Sequence, residues 1–262
     1  MIGQESLQKE LFSQSLQYSR KTILLLGEYG CGKHTLAKEL ADHFCLDLYD
    51  ITDSISAETL EEIRFRSVPA FYLVDLDKIN ERSQNVLLKC IEEPSDTAYM
   101  LLISSNKNYV LDTILNRCLI YTFGAYSKEE LVSITECDIS DELLDVCTTP
   151  GQIKISSGNF DKLKNLCLTI VNKLEKANLS NALSIANKIN YKDEYDKFDL
   201  LVFLKVLMKE LYNSYRDTNN DKSLMLYNIV SEQAQRLFDI RLNKEIFVQH
   251  LIITMWKAVK GV

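Results

Sequence analysis

"GEYGCGKHT", residues Gly27 to Thr35, decides how this chain is read. It matches a phosphate-binding loop (Gly, any four residues, Gly, Lys, then Ser or Thr) in every place but the last, where His34 follows Lys33. In a complete loop, backbone N–H groups and the helix N-terminus cradle phosphates, the lysine reaches the outer phosphates, and the hydroxyl holds Mg²⁺. Gly27, Gly30, Gly32 and Lys33 supply the first two parts. His34 removes the third, because Mg²⁺ wants hard oxygen ligands and imidazole is a poor substitute. Thr35 does not simply stand in, since one step along a helix turns the side chain by about 100°. Glycines and a lysine coinciding by chance is the competing reading. The apolar TILLL (Thr22 to Leu26) before the loop and the helical HTLAKELADHF after it supply the context that the motif requires.

Working outward, the first half alternates short apolar runs with helical patterns. Strands are expected at Thr22–Gly27, Ala70–Leu76, Ala98–Asn106 and Cys118–Phe123, with helices over HTLAKELADHF, ETLEEIRFR and QNVLLKCIEE, the last stopped by Pro94. Nearly continuous apolar strands between helices imply a parallel sheet covered on both faces, with a ligand site where the first strand meets its helix. From about Ser127 the pattern is helical only. SKEELVSI opens with a capping box, Ser127 three residues before Glu130. ISDELLDVCTTPG is broken by Pro150 and Gly151, and five longer amphipathic segments follow. One of these carries the stripe Leu200, Leu201, Phe203, Leu204, Leu207, Leu211, dense enough for a bundle core. The expected layout is an α/β P-loop domain at 1–124, a small helical lid at 125–158, and an all-helical bundle at 159–262.

Composition excludes several classes. With 262 residues, 26% charged and 46% hydrophobic, the chain can build a substantial globular core. It lacks a run near the roughly 18 apolar residues of a membrane span, and MIGQESLQKE is unlike a secretory signal. A cytoplasmic protein is expected. A net charge of -7 leaves no chain-wide basic footprint for nucleic acid. Cys31, Cys45, Cys90, Cys118, Cys137, Cys147 and Cys167 are scattered without a CxxC pair, so most are expected to be buried apolar residues. His34, His43 and His250 offer no metal-ligand spacing.

A hydrolysing ATPase also needs a carboxylate at the end of a neighbouring strand. FYLVDLDKI offers Asp75 and Asp77, which could equally terminate a strand and cap the next helix.

Several stretches together resemble the clamp-loader AAA+ family, and within it the delta-prime branch of bacterial DNA polymerase III. They are IGQESLQKEL, LLLGEYGCGKHTLAKELA, FYLVDLDKINERSQNVLLKCIEEP and YMLLISSNKNYVLDTILNRC, covering most of residues 2–123 in the family's order. Laid against the family's acidic stretch without a gap, Val74 falls at the magnesium-binding aspartate and Asp75 at the catalytic glutamate. The resemblance makes Ser105 and Asn106 the sensor 1 groups facing a γ-phosphate, and Arg117 the arginine finger that a subunit offers to its neighbour's nucleotide. TPGQI lies where the lid's sensor 2 should be, with Gln152 in the basic position. The family's four-cysteine zinc module has no counterpart between the loop and the acidic strand, where Cys45 stands alone, so no zinc is expected.

The resemblance therefore implies a subunit in DNA replication that binds ATP or ADP weakly or not at all through Gly27, Gly30, Gly32, Lys33, His34, Thr35, Asp75 and Asn106. It would act as a largely non-hydrolysing stator donating Arg117 in trans. Its expected partners are the ATPase and clamp-opening subunits, with the sliding clamp and primer-template DNA engaged through the assembled complex. The alternative is an active AAA+ ATPase hydrolysing ATP at its own loop with Asp75 or Asp77. A small P-loop kinase would leave the helical half and TILNRC unexplained.

Overall fold

The computed structural model describes residues 2–13, 22–135, 139–187, 200–236 and 244–261. Two compact units divide the chain, Met1–Ile134 and Thr135–Val262.

The first unit follows the alternation of the sequence. In chain order it contains α1 (Glu5–Phe12), β1 (Thr22–Leu26), α2 (Lys33–His43), β2 (Asp47–Asp50), α3 (Ala57–Phe65), β3 (Ala70–Asp75), α4 (Glu81–Glu92), β4 (Ala98–Ser104), α5 (Asp112–Leu115), β5 (Leu119–Thr122) and α6 (Lys128–Thr135). The strands form one parallel sheet in the order β2-β3-β4-β1-β5. β1 is thus flanked on both sides, with Leu24 opposite Leu102 on β4 and Ile120 on β5. The sequence pattern missed β2, whose DLYD is half-exposed at the sheet edge and has no apolar run to announce it.

Strand alternation separates two cores, because successive side chains point to opposite faces. Leu24, Leu26, Tyr72, Val74, Met100 and Leu102 pack with Leu60 and Ile63 of α3 and Leu87, Cys90 and Ile91 of α4. Ile23, Leu25, Phe71, Leu73, Leu101 and Ile103 pack with Leu7 and Leu11 of α1 and Leu36, Ala37 and Leu40 of α2. Helix starts are set by side chains: Ser56 accepts from the Thr59 N–H and Asn80 from the Ser83 N–H. At α6 the capping box is closed both ways, Glu130 N–H to Ser127 Oγ at 3.2 Å and Ser127 N–H to Glu130 Oε2 at 2.7 Å.

The described part of the second unit is helical: α7 (Asp141–Leu144), α8 (Pro150–Ser156), α9 (Phe160–Lys173), α10 (Leu179–Asn187), α11 (Leu200–Thr218), α12 (Asp221–Arg236) and α13 (Lys244–Lys260). α11 packs between α9 and α12, and α13 lies against α10 and α12. The buried stripe of α11 is Leu200, Val202, Phe203, Leu204, Val206, Leu207 and Leu211. Leu201, expected in that stripe, is partly exposed. The Trp256 indole N–H donates to the Ala177 carbonyl at 2.9 Å, tying α13 to the turn before α10.

Cys31, Cys90, Cys118, Cys147 and Cys167 are buried and Cys45 is exposed; Cys137 lies outside the described residues. No helix among the described residues is long and apolar enough to cross a membrane.

Candidate functional site

The glycines of the loop are needed for different reasons. Gly30 and Gly32 hold φ of +79° and +100°, the left-handed region that side chains disfavour, and Gly32 is the residue from which α2 begins. Gly27 is required by crowding: a Cβ there would lie 2.7 Å from both Cys31 Sγ and Phe123 Cβ. Phe123 follows β5, so the far end of the sheet domain shapes the floor of the loop.

Lys33 is buried, and its ammonium donates to the Gly27 carbonyl at 2.5 Å and the Glu28 carbonyl at 2.9 Å. Its charge is therefore already aimed across the loop. These contacts, with three closely spaced glycines ahead of a helix N-terminus, suit a phosphate group.

The donors for magnesium do not fit. His34 and Thr35 are both exposed on the first turn of α2. Partial desolvation holds the His34 imidazole below its ordinary pKa, against the opposing pull of Asp75. Val74 is fully buried on the α3 and α4 face of the sheet. Asp75 is the strand-end carboxylate, and it is engaged by the Lys78 ammonium at 3.3 Å and the Asp77 N–H at 3.1 Å. Thr52 joins the ends of β2 and β3, donating its hydroxyl to Asp50 at 2.7 Å and accepting from the Asp75 N–H at 2.9 Å. Burial pushes the Asp50 carboxyl up, but the two bonds from Thr52, aided by Lys78 and His34, leave it below its usual value. Among the described residues, no group of three or more His, Cys, Asp or Glu side chains is arranged to hold a metal ion.

Asp77, a candidate acid in the sequence, is engaged locally. It accepts the Ser104 hydroxyl at 2.6 Å and the Ser105 N–H at 2.7 Å, pinning the end of β4. Asn106 accepts the Asn108 N–H at 2.9 Å and caps the turn that follows. Arg117 is exposed, with Glu92 Oε1 at 2.9 Å and the Thr113 carbonyl at 2.9 Å. An exposed pair of this kind is worth about 0–1 kcal/mol, so the guanidinium exchanges partners at little cost. In the second unit Gln152 is buried, and its carbonyl oxygen accepts the Thr148 N–H and hydroxyl at 2.9 and 3.0 Å. That oxygen serves the start of α8.

Sequence reading gave no role to Tyr126, whose hydroxyl donates to the Cys31 carbonyl in the loop at 2.6 Å. Nor did it pair Gln4 with Gly124, although the Gln4 amide both donates to and accepts from that backbone at 3.0 Å.

Residues 47–127 match the model of a family described as DNA polymerase III, delta subunit. The DNA polymerase III subunit delta' of Buchnera aphidicola subsp. Schizaphis graminum is 26% identical over 222 residues, 81% of this chain and 65% of that protein. The DNA polymerase III subunit gamma of the same organism is 30% identical over 112 residues, 38% of this chain and 31% of the relative. The chain thus spans less than two thirds of the length of these relatives. A solved gamma subunit-related protein of Thermotoga maritima superposes with a TM-score of 0.51 at 17% identity, covering 98% of this chain and 99% of that one, a likeness of fold alone. Together with the loop, the sheet order and the segments of the first unit, these matches make the chain similar to clamp-loader subunits of DNA polymerase III, delta' among them.

Proposed function

We propose that this chain is a clamp-loader subunit of the delta-prime type, acting in DNA replication within a DNA polymerase III holoenzyme-type assembly. It works as a largely non-hydrolysing stator in the cytoplasm. The observation that carries this reading is the split within the site: the glycine cradle and Lys33 are kept, while His34 and the buried Val74 stand where the magnesium-holding side chains would be. ATP or ADP is then held weakly or not at all, without zinc. Residues 125–158 serve as lid and 159–262 as the collar through which subunits associate.

In this reading ATP bound by a partner subunit draws the ring into a shape that opens the sliding clamp and grips primer-template DNA. Arg117 leaves Glu92 and reaches the neighbour's γ-phosphate, where a guanidinium supplied in trans stabilises transition-state charge. The exposure of Arg117 and the low cost of its ion pair support the role. The second reading is an active ATPase, favoured by one observation: Asp75 is a carboxylate at the end of β3, the strand-end position that a hydrolysing site needs.

Reconstitution with the ATPase and clamp-opening subunits separates the two. DNA-stimulated ATP hydrolysis falling only in Arg117→Ala supports the stator. A fall in Lys33→Ala, with turnover by the isolated chain, supports the enzyme and overturns the stator.

A further inference from the structure

The Cys31–Gly32 peptide turns on ψ of Cys31 and φ of Gly32, and Gly32 stands at φ of +100°. A plane so placed flips easily, because glycine accepts either orientation with little steric cost. The peptide is trans, so its carbonyl and the Gly32 N–H point in opposite directions. Whatever fixes the carbonyl therefore aims the amide.

Tyr126 fixes it. Its hydroxyl, 2.6 Å from the Cys31 oxygen, can only donate there. Burial pushes the phenol up to about 12, so it remains a donor across the physiological range. The ring is itself held in place. It lies so close on Gly3 that a Cβ would stand 2.8 Å from Cδ1 and 2.9 Å from Cε1, and Gly3 has φ of +76°. Beside it, the buried Gln4 closes two hydrogen bonds with Gly124. Immediately after Tyr126, the Ser127–Glu130 box starts α6.

We infer that Tyr126 is a positioning residue for the phosphate loop: its hydroxyl holds the Cys31 carbonyl outward so that the Gly32 amide faces a bound nucleoside diphosphate. Tyr126 touches no phosphate. It acts through the loop backbone, and Gly3 and Gln4 act through Tyr126. The ligand side of this inference rests on the loop taking a nucleotide; the backbone side does not.

The test uses the full chain as wild type, Tyr126→Phe, Gly3→Ala and Lys33→Ala. Hydrogen exchange of the segment 27–35 is followed without nucleotide, and ADP binding by calorimetry. Losing one neutral hydrogen bond is expected to speed loop exchange and weaken ADP by about three- to tenfold. Exchange in β3 and β4 should stay unchanged in Tyr126→Phe, which a general loss of stability would not allow. Gly3→Ala should reproduce the loop effect by displacing the ring, adding little when combined with Tyr126→Phe. Lys33→Ala should abolish ADP uptake, showing that the loop is the site. If wild type takes up no ADP, the nucleotide reading fails, and ligand-free exchange still decides the inference. Unchanged loop exchange in Tyr126→Phe overturns it. So does faster exchange throughout the sheet, or an ADP affinity equal to that of a binding wild type.

Discussion

Asp77 offers the sharpest separation of a structural acid from a catalytic one. Its two carboxylate oxygens accept from the Ser104 hydroxyl and the Ser105 N–H, at 2.6 and 2.7 Å. Bonds to an ionised group contribute about 1.5–3 kcal/mol each, and the lower figure applies because Asp77 is only partly buried. Asp77→Ala should therefore cost about 3 kcal/mol. Asp77→Asn keeps most of this. Its amide oxygen still accepts from Ser105, and its NH₂ donates to the Ser104 oxygen, whose own proton turns from residue 77 to the Asn106 carbonyl 2.9 Å away. The loss is then the charge assistance alone, about 1 kcal/mol. At roughly 2–4 °C per kcal/mol, the melting transition of the sheet unit should fall by about 6–12 °C for Ala and about 2–4 °C for Asn. Circular dichroism melts at fixed pH measure both. Equal losses for Ala and Asn, or no loss for Ala, would refute the reasoning, since an amide fails as a magnesium-holding carboxylate but succeeds as a hydrogen-bonding clamp.

Gly27→Ala forces a Cβ into 2.7 Å contact with Cys31 and Phe123, and should destabilise the unit by about 1–3 kcal/mol in urea titrations. Val74→Asp, the change that restores the family's carboxylate in sequence, places an unpaired charge in the core against α4; a cost of about 3–5 kcal/mol is expected, without any gain of magnesium-dependent hydrolysis. For His34 the folded pKa lies below its ordinary 6.5, so the unfolded chain binds the proton first. Stability from this group is full above pH 6.5 and is lost as pH falls through the folded pKa. The imidazole proton resonances should titrate with a midpoint below 6.5, and His34→Gln should flatten the stability profile in that window.

The phosphate loop, the parallel alternation and the capping box at Ser127 were legible because each is written in neighbouring residues. TILLL followed by glycines and a helical period leaves few other folds. The edge strand β2 was not legible: DLYD alternates too briefly and is too exposed, and it is a strand because Leu48 and Asp50 pair with Phe71 and Leu73 on β3. What the Gln152 side chain does was not legible either: its carbonyl oxygen accepts from Thr148 within its own turn.

By itself the sequence determined the class of the fold, the position of the loop, and the His34 that stands where the loop pattern has Ser or Thr. Only the tertiary structure decided where each of these side chains goes: Val74 packs into one core, Asp75 meets Lys78, and Asp77 clamps β4. It also decided why Gly27 must be glycine, and that Tyr126 and Gln4 brace the loop and the exit of β5 across 95 and 120 residues of chain. A local pattern fixes backbone geometry within a few residues, but the partner of a side chain is chosen by what the closed sheet brings beside it.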